Sequence, residues 1–206
     1  MVDCTRSERL DNELVSRYLV EQLHMKPVVA LDCDDFPSVS LIVEGRPNFP
    51  IQIFASMNSK LCMLTSDSVI PKTHEKQLAR GLVAWAKKQS LALVVTMNAS
   101  EKEGEISAAF STESSKQRII QSKTDLMEKG SFEGLASALL NEGAWSSLDV
   151  IALKIRTDSI SPQEIAEKTL QAIDIVIPEV KFDMTSILDL QKPELGVSGS
   201  STSIEK

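Results

Sequence analysis

Two near-continuous apolar runs of strand length, "LALVVTMN" (91–98) and "LDVIALKI" (148–155), constrain this chain most. A strand with one face in water alternates apolar and polar residues. A run without that alternation belongs to a strand covered on both faces. Helix-spaced segments stand between and around the two runs. In "PKTHEKQLARGLVAWAKKQ" (71–89), Leu78, Leu82, Trp85 and Ala86 form an apolar stripe, and Lys87 and Lys88 suit the negative end of the helix dipole. Before the second run, Phe132, Leu135, Ala136, Leu139 and Leu140 recur at helical spacing, with Ser131 as the expected N-cap and Gly143 as the expected left-handed stop. After it, "SPQEIAEKTLQAIDIV" opens with Ser161 at the N-cap, Pro162 in the first turn and Glu164 closing a capping box. Strands that alternate with helices in this way build an α/β domain.

The first half is richer in strands. Residues 8–24 set Leu10, Leu14, Val15, Tyr18, Leu19 and Leu23 on one stripe of an amphipathic helix. Four short β-branched-rich runs follow, at 27–33, 39–44, 50–56 and 60–66, with hairpin turns expected at "EGRPNFP" and "MNSK". "EISAAFS" (105–111) is expected as a neighbour of the 91–98 strand, and a further helix around "KQRIIQSKTDLM". The expectation is a single α/β domain over 1–190, with a mixed sheet flanked by helices, and a disordered tail over 191–206, where Gly, Ser and Thr dominate without periodicity.

The chain has 206 residues, 42% hydrophobic and 25% charged, which suffices for one sizeable core. Its net charge is −7 and no basic run exceeds two residues, which argues against nucleic acid or an anionic membrane surface as partner. Cys4, Cys33 and Cys62 are odd in number and lack CxxC spacing, so neither a disulfide framework nor a zinc site is expected, and Cys33 and Cys62 read as small buried hydrophobes. The charged N-terminal stretch and the lack of any apolar run near the roughly 20 residues of a membrane span point to a soluble, cytoplasmic protein.

Chemistry is hard to find. Gly130 and Gly134 give GxxxG rather than GxGxxG, no strand directly precedes them, and Glu128 and Glu133 would repel an anion, so close packing is expected rather than a phosphate cradle. Asp32, Asp34 and Asp35 sit at a strand end where oxygen ligands could serve magnesium or calcium, but no calcium-loop spacing follows and solvated carboxylates are expected. His24 and His74 lack a partner at ligand spacing. Glu101, Glu103 and Glu105 read as a solvated loop tip, and no GxSxG elbow occurs. No catalytic, cofactor or metal residue is assigned. Trp145, at a helix end, is the protein-interaction candidate.

Four phrases, taken in order, resemble the proteasome assembly chaperone family, in particular its archaeal and bacterial members. They are "YLVEQL" (Tyr18–Leu23), the acidic segment with "FP" (Asp32–Pro37), "GRP" with a Pro-Ile strand (Gly45–Pro47, Pro50–Phe54), and the helix ending in "WAK" (Trp85–Lys87) before an apolar strand. "GSFEGLASALLNEGAWSSLDVIALKI" matches the family's later glycine-spaced helix and strand, so the likeness spans about residues 10–180. The resemblance implies a fold related to that of purine nucleoside phosphorylases, with no established catalytic residues and no cofactor. Eukaryotic relatives are heterodimers that help assemble the proteasome α-ring, archaeal relatives are homo-oligomers, and some members are predicted ATP-grasp-type carboligases. The implied function is a non-enzymatic, homo-oligomeric protein-binding factor with proteasome α-subunits as partner. The alternative is a small-molecule or nucleotide-binding enzyme, which requires a pocket where two or more of Asp32, Asp34, Glu133 and His74 converge. Three departures are expected to matter. The family's opening strand and "GLVG" turn are missing or replaced, and "MNASEKEGE" stands where relatives carry a glycine-rich loop. The chain ends Ile204-Glu205-Lys206, without the hydrophobic–Tyr–any docking motif.

Overall fold

The computed structural model describes residues 1–7, 10, 12–31, 41–43, 45–100, 106–158, 161–180 and 182. In chain order the first half gives β1 (Val2–Cys4), α1 (Glu13–Gln22), β2 (Lys26–Leu31), β3 (Leu41–Val43), β4 (Arg46–Asn48), β5 (Ile51–Ser56) and β6 (Leu61–Ser66). The second gives α2 (Glu75–Lys88), β7 (Val94–Ser100), β8 (Ser107–Phe110), α3 (Glu113–Gln121), β9 (Asp125–Leu126), α4 (Gly134–Ser146), β10 (Val150–Arg156) and α5 (Pro162–Val176). Eight strands form one mixed sheet in the order β2-β5-β6-β1-β7-β10-β8-β9, and β3 pairs with β4 in a separate hairpin turned at Gly45, where φ is 75°.

The two apolar runs lie side by side as β7 and β10, parallel from Val94 opposite Val150 to Ser100 opposite Arg156. Their lack of alternation is explained by cover on both faces. Val95, Met97, Ile151 and Leu153 pack with α1, α3 and α5, whereas Val94 and Val150 pack with α2 and α4. β2, β5 and β6 form an antiparallel meander on one side, but the run expected at 39–44 contributes β3 to the separate hairpin instead of joining it, and β4 lies within the stretch expected as a turn.

Several expectations are corrected. The opening strand is present: β1 runs parallel to both β6 and β7, in the middle of the sheet. Three residues with Asp3 at their centre are too short to show a period, so only the pairing partners reveal them. β8 lies beside β10, antiparallel, rather than beside β7. The helix expected around residues 116–127 is shifted. Thr112 caps it through a capping box with Ser115, it ends at Gln121, Lys123 turns the chain at φ 58°, and Asp125–Leu126 pairs as β9. The helix expected after Ser131 begins three residues later, with Glu133 at the N-cap and Gly134 at φ 64°. Gly143 does not stop it. Ser147 takes the left-handed conformation instead, at φ 56°, and Gly143 lies inside α4, where a Cβ would stand 2.3 Å from Val150 Cγ2. Close packing therefore explains Gly143, and Gly134 is present for its backbone angle; Gly130, expected to serve close packing, is instead exposed and meets only the flexible Met127 side chain. Cys4 is buried and Cys62 half-buried, both as free thiols. Cys33 and the expected tail over 191–206 lie outside the described residues. Among the described residues no helix is long and apolar enough to cross a membrane.

Candidate functional site

Toward their C-terminal ends the central strands turn polar on one face only. Side chains alternate along a strand, so Asp3 shares the face of Met1, Thr96 and Asn98 that of Val94, and Lys154 that of Val150. That is the face under α2 and α4, and near these positions the two helices leave an opening. It is a cleft of about 630 Å³. Its walls are the ends of β1, β7 and β10, the lead-in to α2 with Ile70 and Lys72, the first residue of α2, Glu75, and the start of α4 from Glu133 to Ala136. Open α/β sheets bind ligands at such crevices beyond the carboxyl ends of parallel strands.

Asp3 forms the floor and is only 4% exposed. Its Oδ1 accepts from the Thr5 amide at 3.0 Å and the Thr5 hydroxyl at 2.7 Å, and its Oδ2 from the Thr96 hydroxyl at 2.6 Å. Burial pushes its carboxyl pKa up, and the hydrogen bonds from Thr96 and Thr5 counter only part of that rise. Lys154 Nζ donates to Asn98 Oδ1 at 2.9 Å and to the Ala99 carbonyl at 3.2 Å, and stands 5.0 Å from the Phe132 ring centroid. Asn98 in turn donates to the Glu133 carbonyl at 3.2 Å, tying β7 to the start of α4. The side chain of Glu133, the N-cap of α4, makes no capping hydrogen bond.

At the other end of α4 lies a shallow groove of about 570 Å³ between α2 and α4, lined by Lys76, Arg80, Ala138, Asn141, Glu142 and Trp145. Arg80 meets Glu142 at 3.8 Å across it. Trp145 is 89% exposed, more than any other large apolar side chain among the described residues.

Of the four residues expected to converge if the chain were an enzyme, Glu133 lines the cleft and His74, the N-cap of α2, is not among its walls. Asp32 and Asp34 lie outside the described residues, as do Asp35, Glu101, Glu103 and Glu105. His24 sits in the turn after α1 at φ 48°. Among the described residues no group of three or more His, Cys, Asp or Glu is placed to hold a metal. Sequence reasoning missed Asp3, Thr5 and Lys154. The available signal was the run "VVTMNAS" together with "VIALKIR", in which Thr96, Asn98 and Lys154 break otherwise apolar strands at every second position.

A model of the PAC2 family matches residues 12–192. No curated protein matches the sequence. The fold is similar to that of Pyrococcus furiosus PbaA, an archaeal homologue of proteasome-assembly chaperone, with a TM-score of 0.80 at 19% identity over 91% of this chain and 84% of that one. It is similar to P. furiosus PbaB, an archaeal proteasome activator, with a TM-score of 0.70 at 18% identity over 91% and 86% of the chains. A Mycobacterium tuberculosis proteasome-assembly chaperone homologue matches with a TM-score of 0.65 at 14% identity over 92% and 90%. Archaeal and bacterial proteins thus share this fold.

Proposed function

The chain belongs to the PAC2 family, and we propose that it is a non-enzymatic protein-binding factor that associates with itself and with proteasome α-subunits. The observation that carries this reading is Trp145. An indole exposed to 89% beside Arg80, on a groove floored by Ala138, has the composition of an interface anchor. The relatives described as proteasome-assembly chaperone homologues and as a proteasome activator supply the class of partner. A stable contact centred on this groove buries at least about 1,000 Å².

Size-exclusion chromatography with light scattering tests it, first on the protein alone and then mixed with free α-subunits from the same organism. The expected results are a homo-oligomer, heavier than the 22.6 kDa monomer, and a stoichiometric complex with the α-subunits. Trp145→Ala is expected to weaken one or both associations at unchanged fold. A monomer that ignores the α-subunits overturns the reading.

A further inference from the structure

α2 and α4 meet along a seam whose charge is opposite to that of the chain. Lys76, Arg80, Ala84 and Lys87 recur at helical spacing and so share one flank of α2. That flank faces α4: Lys76 and Arg80 line the groove together with Trp145, and Lys87 Nζ donates to the Ser146 carbonyl. Ala138, Asn141, Glu142 and Trp145 form the facing flank of α4. Along the seam three cations stand against the one carboxylate of Glu142, a formal +2 in a chain of net charge −7. Positive charge gathered on a negative molecule is a local field that favours anionic partners.

Two of these cations already have neighbours, and neither neighbour uses up the charge. Arg80 meets Glu142 at 3.8 Å, near the outer limit of an ion pair, and its side chain is 72% exposed. A guanidinium carries five N–H donors, enough for a second carboxylate in bidentate geometry. Lys87 spends one proton on a carbonyl, which cancels none of its charge. Lys76 makes no hydrogen bond or ion pair among the described residues. Beside these groups stand the exposed Trp145 and the half-buried Ala138, and one turn on from Arg80 the exposed Ala84 keeps the α2 flank low enough for another backbone to approach. A purely apolar partner would desolvate Lys76 and Arg80 without pairing them. A nucleic-acid strand, charged at every phosphate, would be repelled by the negative remainder of the chain. The complement is a peptide segment that brings both a carboxylate and an apolar side chain.

We propose that the groove between α2 and α4 receives an acidic segment of a partner protein, its carboxylates on Lys76 and Arg80 and an aliphatic side chain on Trp145 and Ala138. This rests on the reading of Trp145 as an interface anchor, and it holds for any partner that presents such a segment, α-subunit or not.

The test is nuclear magnetic resonance titration of the full chain with an end-capped peptide of about twelve residues built from Glu, Ala and Leu, its glutamates and leucines at helical spacing on one face. Two control peptides replace every Glu by Lys, or every Leu by Ala. The acidic leucine peptide is expected to shift the Trp145 indole N–H and the backbone amides of Asn141, Glu142 and Trp145 saturably, with each control at least about tenfold weaker. Its binding is expected to weaken as salt rises from about 0.1 M to about 1 M. Lys76→Glu combined with Arg80→Glu, at two exposed positions, is expected to reverse the order of the acidic and lysine peptides, with circular dichroism confirming the fold. If that variant does not fold, the ranking of the three peptides on wild type still decides. No saturable shift with the acidic peptide, or a control that binds as tightly, overturns the proposal. So does a light-scattering dimer that dissociates in Trp145→Ala but that excess acidic peptide leaves intact, because a second copy then occupies the groove. A complex with α-subunits without peptide binding overturns this proposal alone, whereas peptide binding without such a complex supports it and removes only the α-subunit as partner.

Discussion

A carboxylate that is 4% exposed destabilises the folded chain whenever it is ionised. Burial raises the pKa of Asp3 from its ordinary 3.8. Between that value and the raised one, the folded state holds a proton that the unfolded state has released. Stability therefore falls as pH rises through this window and stays lowered above it. Urea unfolding of wild type and Asp3→Asn from about pH 4 to pH 8 is expected to show a steeper decline for wild type. Equal slopes would mean that Asp3 does not titrate in the fold. Gly143 gives a second test at the same scale. Alanine in place of a helical glycine gains about 1 kcal/mol of propensity, but its Cβ would stand 2.3 Å from Val150 Cγ2 and 3.1 Å from the Leu148 carbonyl. Overpacking typically costs about 1–3 kcal/mol, so the clash wins. Gly143→Ala is expected to lower the denaturation midpoint, and a rise would show that β10 yields easily. Neither role could be read locally, since one depends on Thr96 across the sheet and the other on a strand that follows the helix.

Elements whose signals lie within a few residues of one another were legible, and those defined by distant partners were not. The start of α5 is legible because Ser161 and Glu164 satisfy each other: the Ser161 amide donates to Glu164 Oε2 at 2.7 Å and the Glu164 amide to Ser161 Oγ at 3.2 Å. Ser161→Ala is expected to cost about 1 kcal/mol in urea unfolding, because α5 buries Leu170, Ile173 and Val176 against the sheet and cannot fray freely. The strands β7 and β10 were likewise legible as apolar runs. β1 was not, although it is central, because three residues offer no period and its evidence consists of pairings with Met63, Leu64, Thr65 and Val95. Missing β1 also hid the candidate site, whose floor is the middle residue of that strand. Val2 is fully buried. Val2→Asp would place an unpaired charge in the core that the sheet shares with α1 and α5 and is expected to lower stability by more than about 4 kcal/mol, which circular dichroism would register as loss of the cooperative transition. A folded Val2→Asp protein would show that the sheet closes without β1.

The molecule carries its two candidate surfaces on one rod. The first turn of α4 lines the cleft and Trp145 stands near the other end, roughly 16 Å away along the axis at 1.5 Å per residue. α4 is held firmly between them. Leu135 and Leu139 pack into the core shared with α2, Lys87 Nζ donates to the Ser146 carbonyl at 2.7 Å, and Asn98 ties the N-terminal end to β7. A rod anchored at both ends transmits little unless it shifts as a whole, and sites so far apart without shared partners add independently to within about 0.5 kcal/mol. Trp145→Ala, at an exposed position, is expected to change folding stability by no more than about 0.5 kcal/mol. It should leave the backbone amide resonances of Gly134–Ala136, at the cleft end of α4, as they are in wild type. Asp3→Asn should in turn leave the mass measured by light scattering unchanged, and the double variant should unfold at the sum of the two single effects. If the effects instead couple by more than about 1 kcal/mol, α4 moves as one body between cleft and groove.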